Sequence, residues 1–307
     1  MQYTEDMPVT DVHQHLWPES LLRLLAARPR APRLVRHAAG WELELAGEAP
    51  ERFDTRAHDP ARRAALASDD GLGRVLVAPS APLGIEGLPA HEAQPLLDAF
   101  HQGVLELGAP FAPWGSVALA AAEPAAVDAL LDLGAAGLCL PGAALSGRQQ
   151  LDRVGPVLER LAQRGAPLFV HPGPAPSTDA RLPSWWPPST SYVSEMQAAW
   201  LAWAAWGRKE HPQLKVVWAM LAGCAPLQHE RIKARSGPAH AINDDRAWFD
   251  VSSYGPHAVD AMLRVVGVDR LVLGSDRPIA EPPALTALGE AVLHAIARVN
   301  PAAVLAP

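Results

Sequence analysis

Three histidines and one aspartate stand at the ends of strand-like runs, where they could bind a metal ion together. His13 and His15 lie in PVTDVHQH, His171 in PLFVHPG, and Asp276 at the end of RLVLGSD. Imidazole nitrogens and a carboxylate oxygen suit a borderline divalent cation such as zinc, with one position left for water. A single histidine at a strand end is commonly structural, so the prediction depends on all four residues meeting in space.

The first run also fixes which side chains point the same way. Side chains alternate along a strand, so Asp11, His13 and His15 are expected on one side. If that side faces the interior of the fold, both histidines reach the site. Asp11 is then a candidate partner that holds the imidazoles in the correct tautomer.

The elements that must position these residues are eight short apolar runs, each ending in a Gly, Pro or Ser turn signal. Helix-like segments such as AVDALLDLG and QQLDRVGPVLERLAQRG separate the runs. This alternation predicts an α/β fold with a parallel sheet, and eight units predict a closed (β/α)8 TIM barrel. The alternative is an open doubly wound sheet, but no glycine-rich dinucleotide fingerprint follows the first strand. The runs are 8–15, 74–80, 112–119, 137–142, 167–173, 214–220, 247–253 and 270–276.

In a closed barrel the first and eighth strands are neighbours and the fifth lies across the mouth, which brings the four residues to the C-terminal face. Two connections are too long for simple crossovers: insertions are predicted after strand 1 (residues 19–70) and after strand 5 (residues 174–213). The first contains GWELELAG, whose alternation indicates a small hairpin, and 19–70 is expected to be a lid. Residues 1–307 are expected to form a single domain.

The composition and charge of the chain argue against several classes of protein. A formal charge of −7 without a basic stripe argues against nucleic acid as a partner. The N-terminus MQYTEDMPVT does not resemble a signal peptide, and no apolar run is long enough to cross a membrane. Two cysteines, Cys139 and Cys224, are too few for a disulfide framework, so a cytoplasmic location is expected.

The chain resembles the amidohydrolase superfamily, and within it the second amidohydrolase group. That group includes aminocarboxymuconate-semialdehyde decarboxylase, related aromatic-acid decarboxylases and lactone hydrolases. The resemblance is carried by DVHQH, FVHPG, AAWLAWAAWGRKEHPQLKVVWAMLAG and LGSDRP. It implies a distorted barrel with one catalytic metal held by His13, His15, His171 and Asp276. It also implies a homodimer, since relatives are often dimers. The fourth strand, GLCLPG, has no lysine that could bridge a second metal.

One position departs from the family pattern. The sixth strand of relatives ends in a histidine that acts as acid or base beside the metal, and here AMLAG places Met220 there. A thioether cannot carry a proton, and a positioned acid or base contributes about 10²–10⁴-fold in rate. Either another group such as His229, His257 or Tyr254 replaces the histidine, or Asp276 acts alone, or the chain has lost the chemistry and only binds a ligand.

Four residues are candidates for binding substrate. Arg277 follows Asp276, and its guanidinium could hold a carboxylate unless it pairs with a helix instead. Tyr254 follows the seventh strand. Trp17 and Trp185 lie in loops after the first and fifth strands and could form walls of an apolar site.

These residues predict a metal-dependent hydrolase of a small ester, lactone or amide. In that mechanism Asp276 orients a water activated by one divalent metal, and His257 is a second catalytic candidate. Zinc is the expected metal, with manganese, iron and cobalt open. The first alternative is a non-oxidative decarboxylase of an aromatic or unsaturated acid, which would need a proton donor. The second is a non-catalytic barrel that binds a metal or small molecule.

Overall fold

The fold was derived from a computed structural model that describes residues 7–177, 179 and 182–307. Residues 1–6, on which the expectation of no leader partly rests, lie outside this range. Each of the eight predicted runs overlaps a strand, and these strands pair in parallel. The described residues form eleven strands: β1 Thr10–Gln14, β2 Arg33–His37, β3 Gly40–Glu44, β4 Glu51–Phe53, β5 Arg74–Val77, β6 Phe111–Pro113, β7 Leu138–Pro141, β8 Leu168–His171, β9 Val216–Trp218, β10 Ala247–Asp250 and β11 Leu271–Val272.

The parallel strands form two sheets, ordered β1-β5-β6 and β7-β8-β9-β10-β11. Single bridges, Gly115–Leu138 and Gln14–Arg277, link the sheets at both ends. Pairing is therefore not continuous around the ring, so the structure confirms an α/β fold rather than a fully paired barrel. The strand order follows the chain order throughout, whereas a doubly wound sheet reverses it at a switch point. The open-sheet alternative is therefore wrong.

Helices follow the strands and cover the sheets. Helix α5 (Arg148–Gln163) illustrates why they pack there, because apolar residues recur along it at helical spacing and are buried. These residues are Leu151, Val154, Leu158 and Leu161. The helices are α1 Glu19–Ala27, α2 Pro60–Asp69, α3 Ala90–Leu107, α4 Pro124–Leu133, α5 Arg148–Gln163, α6 Trp186–Ser189, α7 Ser191–Ala202, α8 Arg208–Glu210, α9 His229–Ala234, α10 Pro256–Val266, α11 Glu290–His294 and α12 Asn300–Leu305. Among the described residues, no helix combines the length and apolar character that a membrane crossing requires.

Between β1 and β5 the chain forms α1, a three-stranded antiparallel sheet and α2. GWELELAG contains all of β3, which pairs with β2 and β4, so the expected hairpin is present within this sheet. The turn after β3 contacts the segment after β8. Ser177 N donates to Gly47 O at 2.8 Å, and Ala175 N donates to Glu48 Oε1 at 3.2 Å.

The chain after β9 adopts an unusual backbone conformation. Residues 220–224 all have left-handed φ and ψ angles, with φ between 45° and 60°. For residues with a Cβ this conformation costs roughly 1–2 kcal/mol each, and it normally occurs at single positions. Packing must stabilise it here: Leu221 and Ala222 are fully buried in the main core, and Gln197 Nε2 donates to Gly223 O at 2.7 Å.

Candidate metal centre

The structure brings the four predicted ligands together. His13 Nε2 lies 3.2 Å from His15 Nε2, and Asp276 Oδ1 lies 3.4 Å and 3.2 Å from those two nitrogens. With His171 included, one ligand atom from each residue falls within 4.8 Å of every other. The histidines are 2%, 2% and 5% exposed. One cation can therefore contact all four side chains.

Strand ends from distant parts of the chain position these ligands. His13 lies in β1, His15 directly follows it, and His171 is the last residue of β8. Asp276 follows β11 in a left-handed conformation with φ 62°, and its N–H donates to His13 O at 2.8 Å. Below the site, the Phe169 ring lies 5.0 Å from the His13 ring and closes the interior with apolar surface.

Each imidazole is oriented through its other nitrogen. The Nδ1 atoms meet oxygen acceptors: Asp250 Oδ2 at 2.8 Å and Ser252 Oγ at 3.2 Å for His13, Ala78 O at 3.0 Å for His15, and Pro172 O at 2.8 Å for His171. A carbonyl or carboxylate oxygen requires the proton on Nδ1. The Nε2 atoms of His13 and His15 then lie 3.2 Å apart, which is favourable only with a proton or a metal cation between them. The donor set therefore fits a divalent metal.

The charges of the site shift its pKa values strongly. Burial alone lowers the pKa of His13, but the carboxylates of Asp250 and Asp276 outweigh burial and raise it to about 9. Burial raises the pKa of Asp276, yet the neighbouring imidazoles lower it to about 2. The pKa of His171 is well below its usual value because it is buried beside two other imidazoles. The carboxylates of the site thus favour a cation beside His13 at neutral pH, and a metal can take the place of the proton there.

Asp250 is a functional residue that the sequence analysis missed. It ends β10, one strand away from β11, and it is fully buried. Asp11, the predicted partner of the imidazoles, forms hydrogen bonds with other groups. Its Oδ1 accepts the N–H groups of His13 and Ser275 at 3.0 and 3.1 Å, so it binds backbone. Its Oδ2 accepts from Gln14 Nε2 at 2.7 Å, so the contacts given for this carboxylate do not include an imidazole.

Two predicted substrate contacts are occupied by structural partners. The Arg277 guanidinium forms ion pairs with Asp70 and, at 3.1 Å, with Glu281, which agrees with the alternative that it pairs within the protein, and its role as a carboxylate clamp stays a prediction. Trp17 is buried in the second core, where its ring stacks on Phe53 and His58 at 5.0 and 4.9 Å.

For the remaining predicted residues, the structure shows other surroundings. His257 is exposed in the first turn of α10, and Trp185 is 60% exposed before α6. Tyr254 packs against the main core. Burial raises its pKa, as does its hydrogen bond with Cys224. His229 begins α9, with Nδ1 3.2 Å from Pro226 O. Met220 N donates to Asp250 Oδ1 at 3.3 Å, so this position contacts the site through its backbone.

Comparison with known proteins gives matches in structure. No protein-family model matches the chain, and no curated protein matches it in sequence. The structure of IDCase from Metarhizium anisopliae has a TM-score of 0.82 at 18% identity, covering 99% of this chain and 98% of that one. The 5-carboxyvanillate decarboxylase LigW from Sphingomonas paucimobilis has a TM-score of 0.72 at 16% identity, covering 98% and 99%. A dihydroxybenzoic acid decarboxylase from Polaromonas, with bound manganese and the inhibitor 2-nitroresorcinol, has a TM-score of 0.70 at 15% identity, covering 97% of each.

These matches correct the expected reaction and bear on the expected metal. Decarboxylases recur among the structures that share the fold, including two of 2,6-dihydroxybenzoate decarboxylase. The prediction of a hydrolase is therefore wrong, and the decarboxylase alternative is favoured over it. Zinc is not specifically supported either, since manganese is the metal named in the Polaromonas structure. Amidohydrolase structures also occur among the matches. The resemblance to the second amidohydrolase group is thus confirmed in the fold that these structures share with the chain.

Proposed function

We propose that the protein is a metal-dependent, non-oxidative decarboxylase of a small aromatic or unsaturated carboxylic acid. The observation that carries the proposal is the buried set of three imidazoles and one carboxylate, with every imidazole Nδ1 bound to an oxygen outside the set. The shared fold of several decarboxylases favours this reaction over others that the same ligands could support.

The ligands would hold one divalent cation through the Nε2 atoms of His13, His15 and His171 and through Asp276 Oδ1. When bound, the cation supplies positive charge that binds a substrate carboxylate and stabilises negative charge as the carbon–carbon bond breaks. Manganese is the first candidate, and zinc, iron and cobalt suit the same nitrogen and oxygen donors.

The reaction replaces carbon dioxide by a proton on the same carbon atom. Asp276 Oδ1 faces the imidazoles, while Oδ2 lies 3.4 Å from the hydroxyl of Ser253, which is exposed. We assign to Asp276 Oδ2 the delivery of this proton, which reaches it from solvent by way of Ser253.

We propose that the surrounding fold forms one (β/α)8 barrel. Its two parallel sheets meet at the single bridges Gly115–Leu138 and Gln14–Arg277. Within this single domain, residues 19–70 are proposed to act as a lid together with the segment after β8. The contacts of Gly47 and Glu48 with residues 175–177 support this, because they join the two insertions. A small carboxylic acid is then the partner expected inside, under that cover.

The test is decarboxylation by metal-reconstituted protein. Purified protein is stripped with a chelator, reloaded with Mn²⁺ or Zn²⁺, and incubated with a panel of hydroxybenzoic and unsaturated carboxylic acids. We expect release of carbon dioxide with uptake of one proton, and loss of both after His171→Ala. His229→Ala serves as the matched control, because this half-buried histidine lies outside the ligand set. Acids that bind the Mn²⁺-loaded protein without any turnover would instead identify a non-catalytic binding barrel and overturn the proposal.

A further inference from the structure

A buried arginine lies behind the metal-binding residues. Arg63, in α2, is 2% exposed, and its N–H groups donate to oxygens of uncharged groups. A guanidinium is costly to remove from water, and interior positions usually give it a carboxylate partner. The oxygens that Arg63 binds therefore indicate what it does.

Arg63 binds the backbone beside two metal ligands. Its Nη1 donates to His15 O at 2.8 Å, and its Nη2 lies 3.4 Å from Arg277 O. His15 is itself a ligand, and Arg277 directly follows the ligand Asp276. Since His15 N also donates to Arg277 O at 2.6 Å, one guanidinium joins both chain segments where they meet.

Backbone hydrogen bonds close the ring at this meeting point. Val12 N donates to Leu273 O at 2.8 Å, Asp276 N to His13 O at 2.8 Å and His15 N to Arg277 O at 2.6 Å. His15 and Asp276 both lie beyond the ends of β1 and β11, where this contact is completed by the single bridge Gln14–Arg277. The fork of Arg63 adds side-chain hydrogen bonds to the backbone at that end of the contact.

A chain of polar groups holds Arg63 in place. Gln14 Oε1 accepts from Arg63 Nη2, and Gln14 Nε2 donates to Asp11 Oδ2 at 2.7 Å. Asp11 Oδ1 in turn accepts from the backbone N–H groups of His13 and Ser275. The network that begins at Arg63 therefore ends on residues next to, or among, the metal ligands of both segments.

We propose that Arg63 is a positioning residue for the metal site, which sets the separation of His15 and Asp276 by binding the backbone of both segments. The inference rests on the metal-binding part of the proposed function and is independent of the reaction that follows. Arg63 itself does not touch the metal or the substrate.

The first experiment compares Mn²⁺ binding by wild-type protein and by Arg63→Lys. Lysine keeps the charge but lacks the planar fork that reaches two carbonyls and Gln14 together. Loss of a residue that supports metal ligands typically weakens metal binding about 10- to 100-fold. We expect a shift of that size in the Mn²⁺ dissociation constant, read from the electron paramagnetic resonance signal of free Mn²⁺.

Arg208→Lys is the matched control. Arg208 also binds backbone carbonyls, donating to His211 O at 3.0 Å and Leu214 O at 2.6 Å, but it lies in α8, away from the ligands. A purely structural arginine would lower stability in both variants and leave Mn²⁺ binding unchanged. Equal Mn²⁺ affinity in folded Arg63→Lys and wild-type protein would overturn the proposal.

A second measurement does not depend on metal. Hydrogen exchange in metal-free protein reports on the His15 and Asp276 amides, whose bonds to Arg277 O and His13 O close the ring. We expect faster exchange of both amides in Arg63→Lys, whereas unchanged exchange speaks against the proposal.

If wild-type protein binds no Mn²⁺, the proposed function fails, and the hydrogen-exchange measurement alone decides whether Arg63 positions the two segments. If Arg63→Lys does not fold, Gln14→Met, which removes the support of Nη2, is expected to weaken Mn²⁺ binding several-fold, and unchanged binding counts against the proposal.

Discussion

His13 Nδ1 and Asp250 Oδ2 lie 2.8 Å apart, both fully enclosed, although 237 residues separate them in the chain. The other oxygen of the carboxylate, Oδ1, accepts backbone N–H groups from Ser252 at 2.8 Å and Met220 at 3.3 Å. Asp250 is therefore fixed before it meets His13. It holds the imidazole with its proton on Nδ1 and presents Nε2 to the metal-binding site.

Asp250→Asn is expected to weaken Mn²⁺ binding about 10- to 100-fold. The two backbone N–H groups require an oxygen at the Oδ1 position, so the new amide nitrogen faces His13 Nδ1. The imidazole must then carry its proton on Nε2, which no longer binds a metal. Metal titration followed by calorimetry measures the change. Asp260→Asn is the control, since Asp260 is a surface partner of Arg264 in α10; a similar loss there would contradict the explanation.

The sequence was sufficient to predict which four residues meet and the α/β framework that carries them. His13, His15, His171 and Asp276 are polar residues at the ends of apolar runs, and a parallel α/β fold brings such ends to one face. All eight runs overlap a strand in the structure. Strand limits were less accurate: the run at 112–119 yields β6 at Phe111–Pro113, followed by a single bridge at Gly115.

The features of the site and fold that the sequence did not predict depend on contacts between residues distant in the chain. Asp250 ends an ordinary-looking strand, AWFD, and only the pairing of β10 beside β11 and the ring closure bring it to His13. Asp11 lies in the predicted strand, but its carboxylate accepts the backbone N–H groups of His13 and Ser275, and the sequence does not indicate the second of these contacts. The left-handed residues 220–224 are Met, Leu, Ala, Gly and Cys, of which only glycine favours that conformation. Tertiary packing stabilises this left-handed conformation, and no local sequence pattern predicts it.

Arg277→Gln is expected to lower stability and leave substrate affinity unchanged. The side chain pairs with Asp70 and Glu281, and hydrogen bonds to charged groups contribute about 1.5–3 kcal/mol each when buried. Both carboxylates are partly or largely exposed, so the loss in unfolding free energy should be near the lower end of that range. Urea denaturation measures it, and Arg264→Gln is an exposed control. A rise in KM of tenfold or more for a carboxylic acid would instead support the role of Arg277 as a substrate clamp.

Asp276→Asn and His257→Ala separate the two residues predicted to be catalytic. Asp276 is a ligand and the proposed proton carrier, so its loss should reduce kcat at least 10²-fold, the scale of a positioned acid or base. His257 is exposed in α10, and its loss should change kcat and KM by less than about twofold. Steady-state rates of carbon dioxide release by Mn²⁺-loaded protein test both. A large fall in kcat for His257→Ala would show that the loop after β10 closes over the substrate.

Glu86→Gln is expected to remove one source of pH-dependent stability. Burial raises the pKa of Glu86 from 4.5 to about 7, against the weaker effect of its hydrogen bond from Ser116. A raised pKa means that this group stabilises the folded protein fully below pH 4.5 and that the stabilisation is lost as pH rises through 7. The loss amounts to about 3 kcal/mol, because each unit of pKa corresponds to about 1.36 kcal/mol.

In urea denaturation with a chelator present, the Glu86→Gln variant should therefore gain stability relative to wild type between pH 5 and pH 8. The exposed control Glu106→Gln, at the end of α3, should show no such gain. An equal pH dependence in wild type and Glu86→Gln would mean that the Glu86 carboxyl is already ionised, with a partner that stabilises its charge.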